Sequence, residues 1–150
     1  MSSAAVRTAI KSFIETNAGS ETLVDITAAI EELKDLLSEN EVQPDAPWLG
    51  VQFIGGEETP IALAATNDQG KYREYGTVVL HFCDVGRIGV GDLLLTRAEV
   101  LINLFRGRRI GDIVVDGLTM MNFDAGATLQ FEGGYVSGSF QVSFYRDVDL

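Results

Sequence analysis

The chain has 150 residues, of which 46% are hydrophobic and 22% charged, and its net charge at pH 7 is -11. These values predict one globular domain over residues 1–150 and exclude disordered, collagen-like and low-complexity classes. The negative charge disfavours a general grip on nucleic acid, and a single cysteine excludes an internal disulfide or a cysteine-based zinc site. No apolar run is long enough to span a bilayer, and the first 18 residues do not follow the pattern of a signal peptide.

The first 40 residues predict two amphipathic helices. Ser2 and Ser3 are suitable N-caps for the first helix, which Gly19 ends. Its apolar side chains recur at helical spacing: Val6, Ile10, Phe13 and Ile14. The second helix is predicted over Thr22–Ser38, where Thr22 to Asp25 resembles a capping box. Its apolar stripe follows the same spacing: Ile26, Ile30, Leu33 and Leu37.

Residues 47–150 predict a sheet with one helix. After two prolines, alternation over Trp48–Ile54 indicates a core strand. The stretch Gly56–Lys71 alternates only weakly, so we interpret it as a projecting β-arm. Tyr75–Cys83 is the clearest strand, with one face made of Val78, Leu80 and Phe82, and we expect it inside the sheet.

A third helix follows the loop Gly86–Gly91. We expect Asp92 to cap it and Gly107 to occupy the left-handed position after its end. Its predicted buried stripe is Leu94, Ala98, Leu101 and Phe105, and its predicted outward residues are Arg97, Glu99 and Asn103.

The remaining residues predict a hairpin with a two-residue turn at Gly133–Gly134. That register pairs Ala127 with Phe140 and extends to Phe123 opposite Phe144. It leaves Gln141 and Ser143 on the other face. With the preceding elements, the hairpin predicts the fold class α+β: a mostly antiparallel sheet with helices packed on one face and a projecting β-arm.

The residues contain no recognisable catalytic centre, cofactor motif or metal site. His81 and Cys83 share a strand face at roughly 7 Å, too far for a nucleophile and its base. The loop Gly86–Gly91 reads G-x-x-G-x-G, without the spacing of a dinucleotide-binding loop or the Lys of a P-loop. Asp147 and Asp149 lack further oxygen ligands, so we interpret them as a solvated tail.

Three arginines cluster at the end of the third helix: Arg106, Arg108 and Arg109. They could complement the helix dipole, or they could contact carboxylates of a neighbouring subunit. A nucleic-acid patch is a third interpretation.

The order of these features resembles the small tail terminator family of siphophage and prophage tails. The resemblance is carried by the N-terminal helix, the strand Pro47–Phe53, the arm leading into Tyr72–Phe82, the helix Ala98–Phe105 with its arginines, and the closing Gly133–Tyr135 and Phe140–Tyr145. These segments span most of the chain. The segment Thr22–Ser38 departs from the family pattern.

The resemblance implies a structural virion protein rather than an enzyme. Such a protein forms a homohexameric ring that caps the tail tube, stops its polymerisation and joins the head to the tail. Its implied partners are further copies of itself, the tail tube protein and the head-tail connector protein, with DNA passing through only as cargo and no membrane involved. Its implied location is the head-proximal end of the virion tail, after assembly in the cytoplasm of the bacterial host.

A ring needs contacts between different patches of each subunit, and the arm could provide one of them. We therefore expect the subunit interface to include residues of the arginine cluster and of the arm: Arg106, Arg108, Arg109, Glu58, Ile61, Asp68, Lys71 and Arg73. Two alternatives stay open. One is a head-to-tail connector or tube subunit, and the other is a small acidic ligand-binding domain or enzyme using the concave sheet face near His81.

Overall fold

The computed structural model describes residues 3–17, 21–27, 33–43, 46–62, 71–85, 88–119 and 135–149, with the side chains of 33–34, 57–62, 71, 135 and 149 left undescribed. The helices are α1 (Ala4–Asn17), α2 (Leu33–Glu39) and α3 (Val90–Phe105). The strands are β1 (Thr22–Asp25), β2 (Trp48–Ala62), β3 (Lys71–Val85), β4 (Arg109–Ile110), β5 (Ile113–Leu118) and β6 (Tyr135–Asp149).

The strands form a six-stranded sheet in the order β1-β2-β3-β6-β5-β4. Within the described ranges, β1 and β2 are the one parallel pair, and the other strand pairs are antiparallel. The sheet and its helices confirm the predicted α+β class. The strand β3 pairs with β2 on one side and β6 on the other, so its predicted position inside the sheet is also confirmed.

Helices α1 and α3 cover one face of this sheet. Both end near the predicted positions, and Ser3 Oγ accepts the Val6 N–H at the start of α1 at 3.4 Å. Their apolar stripes meet the inward residues of β2, β3, β5 and β6, and the Phe13 and Phe105 rings lie 5.0 Å apart. The predicted inward residues of β3 (Val78, Leu80, Phe82) all lie in this core.

A smaller apolar cluster lies on the opposite face of the sheet. It contains Val24, Ile26, Leu37 of α2, Trp48 and Cys83. Gly50 makes room for it, because a Cβ there would lie 3.0 Å from Trp48 Cζ3 and 3.3 Å from Ile26 Cδ1. A close approach of this kind explains a glycine inside a strand.

The predicted helix over Thr22–Ser38 is wrong in its first part, because Thr22–Asp25 is the edge strand β1. Val24 is fully buried there, and its pairing with Gly50 of β2 is a contact distant in sequence that local spacing does not reveal. Asp25 still acts as a cap, but of a turn: its Oδ1 accepts the Thr27 N–H at 3.0 Å. Among the described residues of the predicted segment, only 33–38 are helical, as part of α2 (Leu33–Glu39).

The start of α3 also differs from the prediction. The helix begins at Val90, with Gly89 at φ 81° as its N-cap, so Asp92 lies in its first turn instead of capping it. Gly107 has φ 65° and occupies the left-handed position after the helix, as predicted. Arg97 does not face solvent freely, because it binds two carboxylates.

The closing hairpin is only partly within the described residues. The buried face of β6 carries Phe140 and Phe144 and leaves Gln141 exposed, as predicted. The predicted partner strand, residues 123–132, and the turn at Gly133–Gly134 lie outside them. The pairing of Phe123 with Phe144 is wrong, because Gly76 and Val115 already pair with Phe144 on its two sides.

Candidate subunit interface

The predicted arm is a continuation of strands β2 and β3. Their pairing runs from Gly56 opposite Gly76 to Ala62 opposite Lys71. Register shifts occur after Ile54 and after Pro60, and Gly55 has φ 53° at the first of them. Such bulges bend a hairpin and increase its twist. The tip of the arm, residues 63–70 with the predicted contact residue Asp68, lies outside the described residues.

The arm is anchored on one side by β6, which accompanies β3 as far as Lys71 opposite Asp149. Arg73 donates to both carboxylate oxygens of Asp147, at 2.8 and 3.1 Å, and its guanidinium lies 4.2 Å from the centre of the Tyr145 ring. The prediction of a solvated tail at Asp147 and Asp149 is therefore wrong, because both residues belong to β6. Arg73, predicted as a subunit contact, is engaged within its own chain.

The other side of the arm is open among the described residues. Strand β1 pairs with β2 only as far as Val51, and Phe53 N–H then donates to Thr27 Oγ1 at 3.0 Å. From Glu57 to Ala62, no strand in the described part of the chain pairs with the outer edge of β2. The predicted contact residues Glu58 and Ile61 lie in this segment. Unpaired edges of this kind can bind a further strand.

The three arginines are exposed and lie around the end of α3. Arg108 Nε donates to the Leu104 carbonyl at 3.1 Å, and its guanidinium lies 5.6 Å from the centre of the Phe13 ring. Arg108 thus interacts with the C-terminal end of α3, which is one of the interpretations that the sequence allows for this cluster. Arg106 and Arg109 form no ion pair within the described ranges, whereas several other cations do: Lys11, Arg73, Arg97 and Arg146.

An open groove of about 330 Å³ lies beside Arg106. Its wall is formed by the end of α3 and by the second half of β5: Ile102, Arg106, Gly107, Val115, Asp116, Gly117, Leu118 and Thr119. Val115 N–H donates to the Arg108 carbonyl at 3.0 Å. Beyond Val115, strand β5 pairs only with β6 within the described ranges, so the groove contains a second open strand edge.

His81 and Cys83 are buried on the face of the sheet opposite α1 and α3. His81 Nε2 lies 3.1 Å from Gln52 Oε1, and burial lowers the pKa of His81 to about 4, so the ring is neutral at pH 7. The Cys83 Sγ–H points to the His81 carbonyl oxygen at 3.7 Å, and burial raises the pKa of the thiol. A neutral imidazole beside a protonated thiol is a poor nucleophilic pair.

Sequence reasoning missed a buried ionic network at the end of β3. Arg97 of α3 binds Asp84 at 3.1 Å and Glu21 at 3.2 Å, and both carboxylates are almost completely buried. Burial raises the pKa of Glu21, the charge of Arg97 opposes this, and Asp84 adds to it. The network joins β3, α3 and Glu21, the residue directly before β1. The three residues are far apart in sequence, so no spacing could have indicated it.

Among the described residues, no group of three His, Cys, Asp or Glu side chains is placed to hold a metal ion. None of the described helices has the length and apolarity needed to cross a membrane. Comparison with known family models and with curated proteins found no match to this chain.

Proposed function

We propose that this chain is a structural protein that assembles with copies of itself into a ring and serves as the tail terminator of a phage tail. In this role the ring caps the tail tube, stops its polymerisation and forms the joint with the head. The observation that carries the proposal is the arm, whose outer β2 edge over Glu57–Ala62 has no partner strand in the described part of the chain. An unpaired strand edge can pair with a strand of another chain.

The arginine cluster supports the same proposal. Exposed arginines are enriched at protein interfaces, because a planar guanidinium can bind a carboxylate through two hydrogen bonds. Arg106 and Arg109 have no such carboxylate within the described part of their own chain. A neighbouring copy with a net charge of -11 offers many.

The specific role in a tail rests on the family resemblance of the sequence and on charge. The chain follows the order of an N-terminal helix, a strand leading into an arm, a central strand, a helix ending in arginines, and a closing strand. A ring of acidic copies would repel DNA from any acidic surface of its channel, so that DNA could pass without binding.

The alternative of a connector or tube subunit shares the arm and the arginine cluster. The alternative of an enzyme or ligand-binding domain on the face near His81 gains no support from that residue, because its side chain is buried and lies outside the groove.

Electron microscopy of the purified protein distinguishes these roles. A terminator that stops polymerisation gives single rings that do not stack, even at high concentration. Stacked tubes would instead indicate a tube subunit, and a field of monomers would contradict assembly altogether.

A further inference from the structure

We infer that the groove beside Arg106 of one copy receives the end of α2 from the next copy. The acidic end of α2 is defined here by three described side chains: Asp35, Glu39 and Glu41. This inference rests on the proposed self-assembly and names two surfaces that meet in it. The partner is a second copy of this chain.

The groove offers cations that have no carboxylate of their own chain among the described residues. Arg106 borders it, and Arg108 and Arg109 follow in the chain. All three are exposed, and neither Arg106 nor Arg109 forms an ion pair within the described ranges. Even when Asp112 and Asp116 are counted against the three arginines, this surface carries a net +1 in a chain of -11. It therefore suits an acidic partner.

The end of α2 is the complementary surface. Asp35, Glu39 and Glu41 are exposed, and none of them forms an ion pair with another described residue. Residues 31–43 contain five acidic residues against one lysine, Lys34, which gives the segment a net charge of -4. Opposite charges on two surfaces favour their association and fix its orientation.

A turn holds the last of these carboxylates in a fixed place. The Val42 N–H donates to the Leu37 carbonyl at 2.9 Å, and the Glu41 N–H donates to the Ser38 carbonyl at 3.1 Å. This pattern closes a helix end around a left-handed residue, which is usually glycine. Here that residue is Glu41, with φ 60°, the one non-glycine residue of positive φ in the described part of the chain. A carboxylate thus stands where glycine would be more stable, as expected of a side chain that binds a partner.

The two surfaces lie at opposite edges of the sheet. In the strand order β1-β2-β3-β6-β5-β4, β1 and β4 are the outer strands. Helix α2 packs through Leu37 on Val24 of β1 and on Trp48, on the face away from α1 and α3. The arginines lie at the end of α3 and on β4. Surfaces so placed cannot meet within one subunit, but they can meet between successive copies, which is the head-to-tail arrangement that closes rings.

Both surfaces also carry apolar area. The wall of the groove, which has a volume of about 330 Å³, includes Ile102, Val115 and Leu118. On the other surface, Leu36 and Val42 are only partly buried against the second apolar cluster and lie next to the carboxylates in the chain. The contact therefore combines apolar burial with charge pairs at its border, which is the usual composition of a protein interface.

Charge reversal with mixing tests the inference. One variant carries Glu39→Lys and Glu41→Lys at the end of α2, and a second carries Arg106→Glu and Arg109→Glu at the groove. Each variant alone brings like charges together at every contact, so we expect assembly to require roughly 100-fold higher concentration than for the wild type. In an equal mixture, every contact regains opposite charges. We expect the mixture to assemble again, with the two variants alternating.

The matched control carries Glu15→Lys and Glu99→Lys, two exposed positions on α1 and α3 that give the same change in charge as the α2 variant. We expect it to assemble like the wild type. Arg108 is left unchanged because it packs on Phe13 within its own chain. Sedimentation velocity measures assembly, and circular dichroism verifies that each variant is folded.

Glu41→Gly separates binding from folding. Glycine suits the left-handed conformation, so this variant should unfold at a higher denaturant concentration than the wild type. It also loses one charge pair at each contact, so assembly should require roughly 5-fold higher concentration. A variant that is more stable yet assembles less readily cannot owe the loss to misfolding.

Three results overturn the docking while self-assembly stands. They are charge variants that assemble like the wild type, charge variants that fail alone and do not recover on mixing, and a Glu41→Gly chain that assembles as readily as the wild type. A wild-type chain that stays monomeric overturns both the docking and the proposed self-assembly.

Discussion

At the scale of single residues, burial explains the chemistry of the two side chains that looked most reactive. His81 and Cys83 lie two positions apart on one face of β3, and both are about 1% exposed. Burial shifts each pKa toward the neutral form, downward for the imidazole and upward for the thiol. Both side chains are therefore neutral at pH 7 in the folded state.

The lowered pKa of His81 predicts a loss of stability in acid. The folded pKa of about 4 lies below the ordinary value of 6.5. The stabilisation is therefore complete above pH 6.5 and is lost as the pH falls toward 4, by about 3 kcal/mol for 2.5 pH units. Measured in urea from pH 7 to pH 4, the free energy of unfolding should therefore fall by about 3 kcal/mol more for the wild type than for His81→Gln. The raised pKa of Glu21 increases the free energy of unfolding as the pH falls, and it does so in both proteins. Parallel curves for the two proteins would therefore contradict a buried neutral histidine.

Gly50 gives a second prediction at this scale. The substitution Gly50→Ala should destabilise the chain by about 1–3 kcal/mol, because the new methyl group would press on Trp48, Ile26 and His81. Gly91→Ala is the matched control: its Cβ would meet no atom within 4 Å, and alanine favours the helix by about 0.5–1 kcal/mol. Chemical denaturation should therefore give shifts of opposite sign. An equal effect at both positions would contradict the close packing at Gly50.

At the scale of elements, the sequence predicts best where the pattern is local. The stripes of α1 and α3 and the alternation of β3 follow from spacing alone, and the structure has these elements where expected. The helix prediction for Thr22–Asp25 is wrong because these residues suit both a helix cap and a short strand. Parallel pairing with Trp48–Val51 makes the segment a strand. That pairing depends on residues 26 positions away.

The sequence indicates which segments form the candidate interface, but it does not indicate which residues contact each other. The arm and the arginine cluster were both identifiable from sequence. Arg73 was expected at a subunit contact, yet it binds Asp147 because β3 and β6 lie side by side, which only the sheet order reveals. The groove beside Arg106 requires α3 and β5 to be placed together, and the sequence carries no signal for that.

The arm should be separable from the fold. Residues Glu58 and Glu74 are already opposite each other in the hairpin, so an Asn-Gly turn can replace residues 59–73. Glu74 is retained because its carboxylate accepts from Arg146 and from the Ser3 N–H at the start of α1. All residues of the two apolar clusters also remain. The shortened chain should therefore still unfold cooperatively, as followed by circular dichroism, and a loss of its cooperative transition would show that the arm belongs to the folding core.

At the scale of the whole molecule, the strand edges that are open among the described residues and the exposed arginines beside the groove favour a subunit of an assembly. Two different surfaces on opposite sides of the sheet suit a closed ring better than a two-fold dimer, which uses the same patch on both subunits. The number of copies depends on the angle between successive subunits. For a hexamer of 16.3 kDa chains the mass would be about 98 kDa.

Native mass spectrometry of the wild type beside the arm-shortened chain tests self-assembly most directly. We predict one discrete multiple of the 16.3 kDa chain for the wild type and a folded monomer for the shortened chain. A wild type that remains monomeric at high concentration would contradict the ring, and a shortened chain that keeps the wild-type stoichiometry would contradict the part assigned to the arm.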